Sequence, residues 1–213
     1  PDRGSLIKGV KYAGGNIYFK TNETYNEGNA VIAARNTDGT VLWSWHIWMT
    51  DQPKEQVYYN NAGVMMDRNL GATSATPGSV QALGLMYQWG RKDPFMGSSS
   101  INSVAEAKST IQFPDPVASS ANVGTVEWAT ENPTTIIMGG NSNNWMYNVD
   151  KTLWTAEKTI YDPCPAGWKL PEAGDNGVWC KAVGANKINA DLFDDSNKGV
   201  DLSGHVGSDT SIW

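Results

Sequence analysis

Ala30-Val31-Ile32-Ala33-Ala34-Arg35, Asn36-Thr37-Asp38-Gly39-Thr40 and Val41-Leu42-Trp43-Ser44-Trp45-His46-Ile47-Trp48-Met49 run consecutively in the chain. The outer segments are rich in strand formers, and the polar stretch between them carries Asp-Gly, a strong tight-turn signal. The three together predict a β-hairpin. In a strand, side chains alternate between faces. Trp43, Trp45, Ile47 and Met49 then share one face, and Leu42, Ser44, His46 and Trp48 the other. Both faces hold large apolar groups, so the strand is expected to be covered on both sides.

Upstream, Asn16 to Lys20 (NIYFK) reads as another strand, so residues 1–56 form a β-rich segment. Downstream, residues 50–63 are polar and turn-rich, and Val64-Met65-Met66 is a short strand. Thr76 as N-cap and Pro77 at the first helical position announce a helix. Val80, Leu83, Met86, Tyr87 and Gly90 continue it at helical spacing, with Gly84 suited to close packing on another backbone, until Arg91-Lys92-Asp93-Pro94 stops it. Residues 97–100 read as a loop and 104–110 as a short helix. Thr125 to Thr130 reads as a helical turn, Thr134 to Met138 as a strand, and Gly177 to Val183 as a short helix. The prolines on either side of Cys164 require extended backbone there.

Composition agrees with short elements and many loops. Of 213 residues, 40% are hydrophobic and 18% charged, ample for a core and too apolar for a disordered chain. Glycine (22), tryptophan (10) and tyrosine (8) are frequent, whereas long helices would require more Leu, Ala, Glu and Lys. The net charge of −6, with no basic cluster beyond Arg91-Lys92, argues against nucleic acid as a partner. No apolar run reaches the ~20 residues of a membrane span; the most hydrophobic stretch is Val41 to Met49. The start at Pro1-Asp2-Arg3-Gly4 is that expected of a mature chain whose signal peptide has been removed, or of a trimmed one.

A search for chemistry finds little. His46 and His205 are the two histidines, and no nucleophile elbow, phosphate loop or dinucleotide fingerprint occurs. His46, within the Trp-rich strand, reads as a packing residue. Two distant Cys and two distant His do not make a zinc site. Asp191, Asp194, Asp195, Asn197 and Asp201 cluster, with Gly199 where a calcium loop starting at Asp194 would place it. Lys198 and His205 then occupy two ligand positions, so the pattern fails. No metal, cofactor or catalytic residue is assigned. Cys164 and Cys180 either form a disulfide closing a loop of about 15 residues, which would add roughly 3 kcal/mol, or remain two free thiols. Asn144-Trp145-Met146-Tyr147-Asn148 lies in a polar, glycine-led stretch. Trp145, Tyr147 and Asn148 are the candidate ligand-binding residues, since an indole or phenol offers a flat face with a polar edge. The alternative for Trp145 is a place in the core.

Three motifs stand in order: Met66-Asp67-Arg68-Asn69-Leu70-Gly71, Tyr87-Gln88-Trp89-Gly90-Arg91-Lys92-Asp93-Pro94-Phe95, and Tyr161-Asp162-Pro163-Cys164-Pro165-Ala166-Gly167-Trp168-Lys169-Leu170-Pro171. They resemble the marks of the Fibrobacter succinogenes major paralogous domain family of exported Bacteroidetes proteins: M-x-x-N-L, Y-x-W and C-P-x-G-W-x-(L/V)-P. The third is the specific one. The resemblance spans roughly residues 57–213 and implies an α+β, C-type-lectin-like domain, with a small twisted antiparallel sheet, short helices and long loops. It also implies roles for Trp168 and Pro171 in fixing the approach to the helix at Gly177, and for Asn69 in tying a loop to a strand end. Such domains continue into further strands beyond the point where this sequence stops at Trp213, so the domain is expected to be completed by residues outside this sequence or by another chain. The function implied is a non-catalytic cell-surface adhesion protein that engages a glycan or host protein through its loops. The alternative is a structural fimbrial subunit, with other subunits as partners.

Overall fold

A computed structural model of the chain describes residues 6–76, 79–95, 113–139, 144–172 and 176–183, together with the backbone of 193–194 and 199–200. The first hairpin pairs β1 (Ile7–Ala13) with β2 (Asn16–Thr21) across Gly14-Gly15, both at positive φ, as a two-residue hairpin turn requires. The predicted hairpin follows as β3 (Gly28–Arg35) and β4 (Val41–Met49), with Ile32 opposite Trp45. Its loop is held by the Thr40 amide, which donates to Asn36 Oδ1 (3.0 Å) and Asp38 Oδ1 (2.8 Å). Then come β5 (Glu55–Tyr58) and β6 (Gly63–Met66), paired across Asn60-Asn61 in left-handed backbone, and a single 3₁₀ turn over Val80–Ala82. β7 (Met86–Tyr87) pairs with β8 (Pro94–Phe95), and β9 (Val117–Ala118) runs parallel to β10 (Ile137–Met138) around α1 (Val126–Glu131). α2 (Val178–Val183) and the β11 (Phe193–Asp194)–β12 (Gly199–Val200) pair complete the described elements.

Every sheet among the described residues has two strands, and all but β9–β10 are antiparallel. Small antiparallel sheets with few short helices make the fold α+β in composition. No described helix is long and apolar enough to cross a membrane.

The helix predicted from Thr76 is not formed. Ser79, not Thr76, caps the 3₁₀ turn, its Oγ accepting from the Gln81 amide, and the chain then enters β7. The cause is Gly84, at φ +70, which leaves the helical region. A Cβ there would lie 2.6 Å from the Leu70 carbonyl oxygen, and the Leu85 amide donates to that same oxygen at 2.9 Å. The close approach read from Gly84 exists, but between two loops. The predicted helices at 125–130 and 177–183 are present as α1 and α2. The segments at 97–100 and 104–110 lie outside the described residues.

β4 is covered less fully than its sequence suggests, because Leu42 and Trp45 remain exposed. Its other side chains anchor the hairpin. Trp48 Nε1 donates to the Ala72 carbonyl at 2.9 Å. Ser44 Oγ donates to Asp93, and Lys92 Nζ lies 2.6 Å from Ser44 Oγ, 2.9 Å from Asp93 Oδ1 and 4.4 Å from the Trp43 ring centroid. His46 is held on both nitrogens. Asn29 spends its Nδ2 on the Gly71 carbonyl, so its Oδ1 accepts from His46 Nε2 at 2.8 Å. His46 Nδ1, 3.2 Å from the Tyr87 hydroxyl, is then the acceptor of a neutral imidazole.

Burial pushes His46 down from its ordinary value to about 4. The unfolded chain therefore takes up this proton first as pH falls. The contribution is complete above pH 6.5 and is lost on the way down to pH 4. Urea unfolding at pH 5 is expected to show about 2 kcal/mol less stability than at pH 7.5. A His46→Gln variant should show most of that difference removed. An equal pH dependence in the variant would refute the assignment.

Candidate functional site

The principal core cluster joins Ala129, Ile137, Trp145, Met146 and Leu153, with Val117, Trp128 and Tyr161 packed against it. The segment 144–148 lies across this cluster because two hydrogen bonds to its backbone hold it and a third, within it, shapes its turn. The Tyr147 amide donates to the Gly124 carbonyl (3.0 Å), Ser119 Oγ donates to the Trp145 carbonyl (2.6 Å), and the Met146 amide donates to Asn144 Oδ1 (2.9 Å). Gly124 is required by contact: a Cβ there would stand 2.4 Å from Ser119 Oγ and 2.6 Å from the Tyr147 nitrogen. So fixed, the segment turns Trp145 and Met146 inward and Tyr147 and Asn148 outward.

The candidate binding residues therefore part company. Trp145 takes the core place, 4% exposed, with Nε1 donating to the Trp89 carbonyl at 2.6 Å. Tyr147, 42% exposed, and Asn148 border an open cleft of about 490 Å³. Tyr161, Glu127, Asp150 and Thr152 also line it, above Met146 and Leu153.

Separate local structures supply these groups. Thr125 caps α1, its Oγ1 accepting from the Trp128 amide at 3.1 Å, and this sets Glu127 in the first turn. Asp150 Oδ1 accepts from both the amide and the hydroxyl of Thr152, at 2.8 and 2.6 Å, and these bonds hold the carboxyl below its ordinary range. Tyr161 packs 5.8 Å from Trp43, ring centre to ring centre. Its hydroxyl is pushed up by burial first and then by Glu127 and Asp150. The segment after Tyr161 is organised by Asp162, which accepts from Lys158 Nζ (3.0 Å) and from the amides of Cys164 (2.8 Å) and Leu170 (3.0 Å).

Both cysteines are free thiols in this structure, so the bridged alternative is not the one observed. Burial, followed by the charge of Asp162, pushes the Cys164 thiol up to about 12, so no thiolate is present near neutrality. Among the described residues no group of three or more His, Cys, Asp or Glu could hold a metal ion. His205 and the Asp191–Asp201 acidic stretch lie outside the described residues, apart from the backbone at 193–194 and 199–200.

Reading the sequence missed Glu127, Asp150, Thr152 and Tyr161 as neighbours of Tyr147. The Thr125 cap and the Asp150-Lys151-Thr152 turn are local signals for how three of them are held, but not for the space they share.

The arrangement offers two phenol rings, an amide, a hydroxyl and two carboxylates around one concavity, which suits a polar ligand with flat apolar faces. No protein-family model, curated protein or solved structure matches the chain.

Proposed function

We propose that the chain is an exported, surface-displayed binding module whose residues 57–213 form a C-type-lectin-like domain behind a β-rich segment of residues 1–56. In this reading it engages a glycan, free or on a surface protein, through the cleft beside Tyr147, and transforms nothing. The resemblance of the three motifs supports the export and the lectin-like fold. The cleft supports the binding: Tyr147 and Tyr161 border it together with Asn148, a combination that stacks on a sugar face and reads its hydroxyls.

A glycan array probed with the purified protein tests this. Tyr147→Ala is expected to weaken binding of a selected glycan by about tenfold, the loss of one aromatic contact. Its unfolding midpoint should stay unchanged, because Tyr147 is half outside. Absence of binding to any glycan would sink the proposal.

One observation favours a structural fimbrial subunit instead. In the β1–β2 hairpin, Val10 and Tyr12 stand opposite Phe19 and Ile17, and Val10, Tyr12 and Phe19 are exposed. A two-stranded hairpin is marginal alone, so burial of this face against another subunit would stabilise it. Self-association that survives Tyr12→Lys together with Phe19→Lys would count against that role for the hairpin.

A further inference from the structure

The charge around the cleft is one-sided. Among the described residues Glu127 and Asp150 line it and no Lys, Arg or His does; Lys151, between the lining residues Asp150 and Thr152, is exposed and is not part of the lining. The nearby Lys158 is committed elsewhere, its Nζ lying 3.0 Å from Asp162 Oδ1 and 2.7 Å from the Cys164 carbonyl oxygen. The two carboxylates come from different segments, one from the first turn of α1 and the other from the turn closed by Thr152. Both nevertheless line the same cleft, together with Tyr161. The lining also includes two tyrosines, Tyr147 and Tyr161, and the negative quadrupole of an aromatic ring attracts a cation. Carboxylate and ring favour the same kind of ligand, and both disfavour an anion.

We propose that the cleft selects saccharides bearing a protonated amine and rejects saccharides bearing carboxylates. This rests on the glycan-binding reading above and adds the chemical class of the sugar. The aromatic rings contribute stacking that any pyranose would share. The amine supplies the discriminating contact, placed between Glu127 and Asp150.

The test uses three tetrasaccharide probes at pH 6: a β-1,4-linked glucosamine tetramer, its fully N-acetylated counterpart, and a galacturonic acid tetramer. Titration calorimetry compares the protein with a Glu127→Gln, Asp150→Asn double variant. The asparagine at 150 keeps an acceptor for Thr152, so the turn survives. The amino tetramer is expected to bind about tenfold more tightly than the N-acetylated one, as two exposed ion pairs allow. The acidic tetramer should bind the most weakly. In the double variant the preference for the amino probe should shrink to within about twofold, and raising the salt should shrink it in the parent protein. Saccharide binding with no preference for the amine, or a preference that survives the double substitution, would overturn the inference while leaving glycan binding intact. No binding of any of the three, after a blank glycan array, would overturn both.

Discussion

Arg91→Met is expected to destabilise the protein by about 3–5 kcal/mol, the largest loss for any single side chain outside the apolar core. Arg91 is 3% exposed and works as a fork. Its Nη1 donates to Gln88 Oε1 and to the Thr135 carbonyl, both at 2.8 Å. Its Nη2 donates to the carbonyls of Ala129 (3.3 Å) and Asn132 (3.0 Å) at the C-terminal end of α1. The guanidinium also lies 4.9 Å from the Phe95 ring centroid and 5.7 Å from that of Trp145. Burial pulls its pKa down to about 10, partly opposed by Asp93, so the charge persists at neutral pH.

Methionine would keep much of the stem volume and remove every donor. Replacing both partners of a buried polar contact can be neutral, but here the carbonyls stay behind without partners. Arg91→Lys should recover little, because one ammonium cannot span acceptors arranged for a planar fork. Equilibrium urea unfolding followed by tryptophan fluorescence measures both variants. A midpoint equal to that of the parent protein would mean that the fork contributes nothing net. Among the described residues Arg91 Nε has no hydrogen-bond partner, so the fork bears one donor that they leave unmet.

Trp145→Ala should cost a similar amount, about 3–5 kcal/mol, by a different route. The substitution empties the centre of the cluster formed with Ile137, Met146 and Leu153. It also leaves the Trp89 carbonyl without its indole donor and Arg91 without one of its two ring neighbours. Trp145→Phe would retain one ring and lose the hydrogen bond together with part of the packed volume, at about 1–3 kcal/mol. The alanine variant is therefore a poor probe of the cleft, although its neighbour in sequence, Tyr147, is a good one. Any loss of ligand should track the unfolded fraction in thermal melts. Weakened binding in a fully folded Trp145→Ala sample would contradict the buried role.

These two residues also mark how far local sequence carries. The β3–β4 hairpin was legible because Asp38-Gly39 and the alternation on either side are local signals, and the short helices at 126–131 and 178–183 were legible for the same reason. The 76–90 segment misled because apolar spacing was read without the backbone sign of Gly84, which is set by contact with Leu70. Arg91 read as the end of a helix, since its three carbonyl acceptors lie 38 to 44 residues away. Trp145 faces inward because its indole finds a carbonyl 56 residues earlier. Within the cleft, Tyr147 and Asn148 could be singled out from their polar surroundings. Glu127 and Tyr161 are neighbours only once Gly124 has brought the 144–148 segment onto the start of α1.

The reach of the Arg91 fork has a consequence for how the protein is made. The carbonyl of Thr135 is synthesised 44 residues after the guanidinium that binds it. At the pace of translation, roughly 5–20 residues per second, the gap is roughly 2–9 seconds. Over that gap the nascent chain carries the tryptophan-rich β4 strand and a cation destined for burial, with none of its three carbonyl acceptors made until 38 residues after it and the set complete only at Thr135. The hairpins that precede Arg91 pair locally, but the packing around its guanidinium is completed only by the arrival of α1 and the turn that follows, so the last piece of this part of the core is the last to be synthesised.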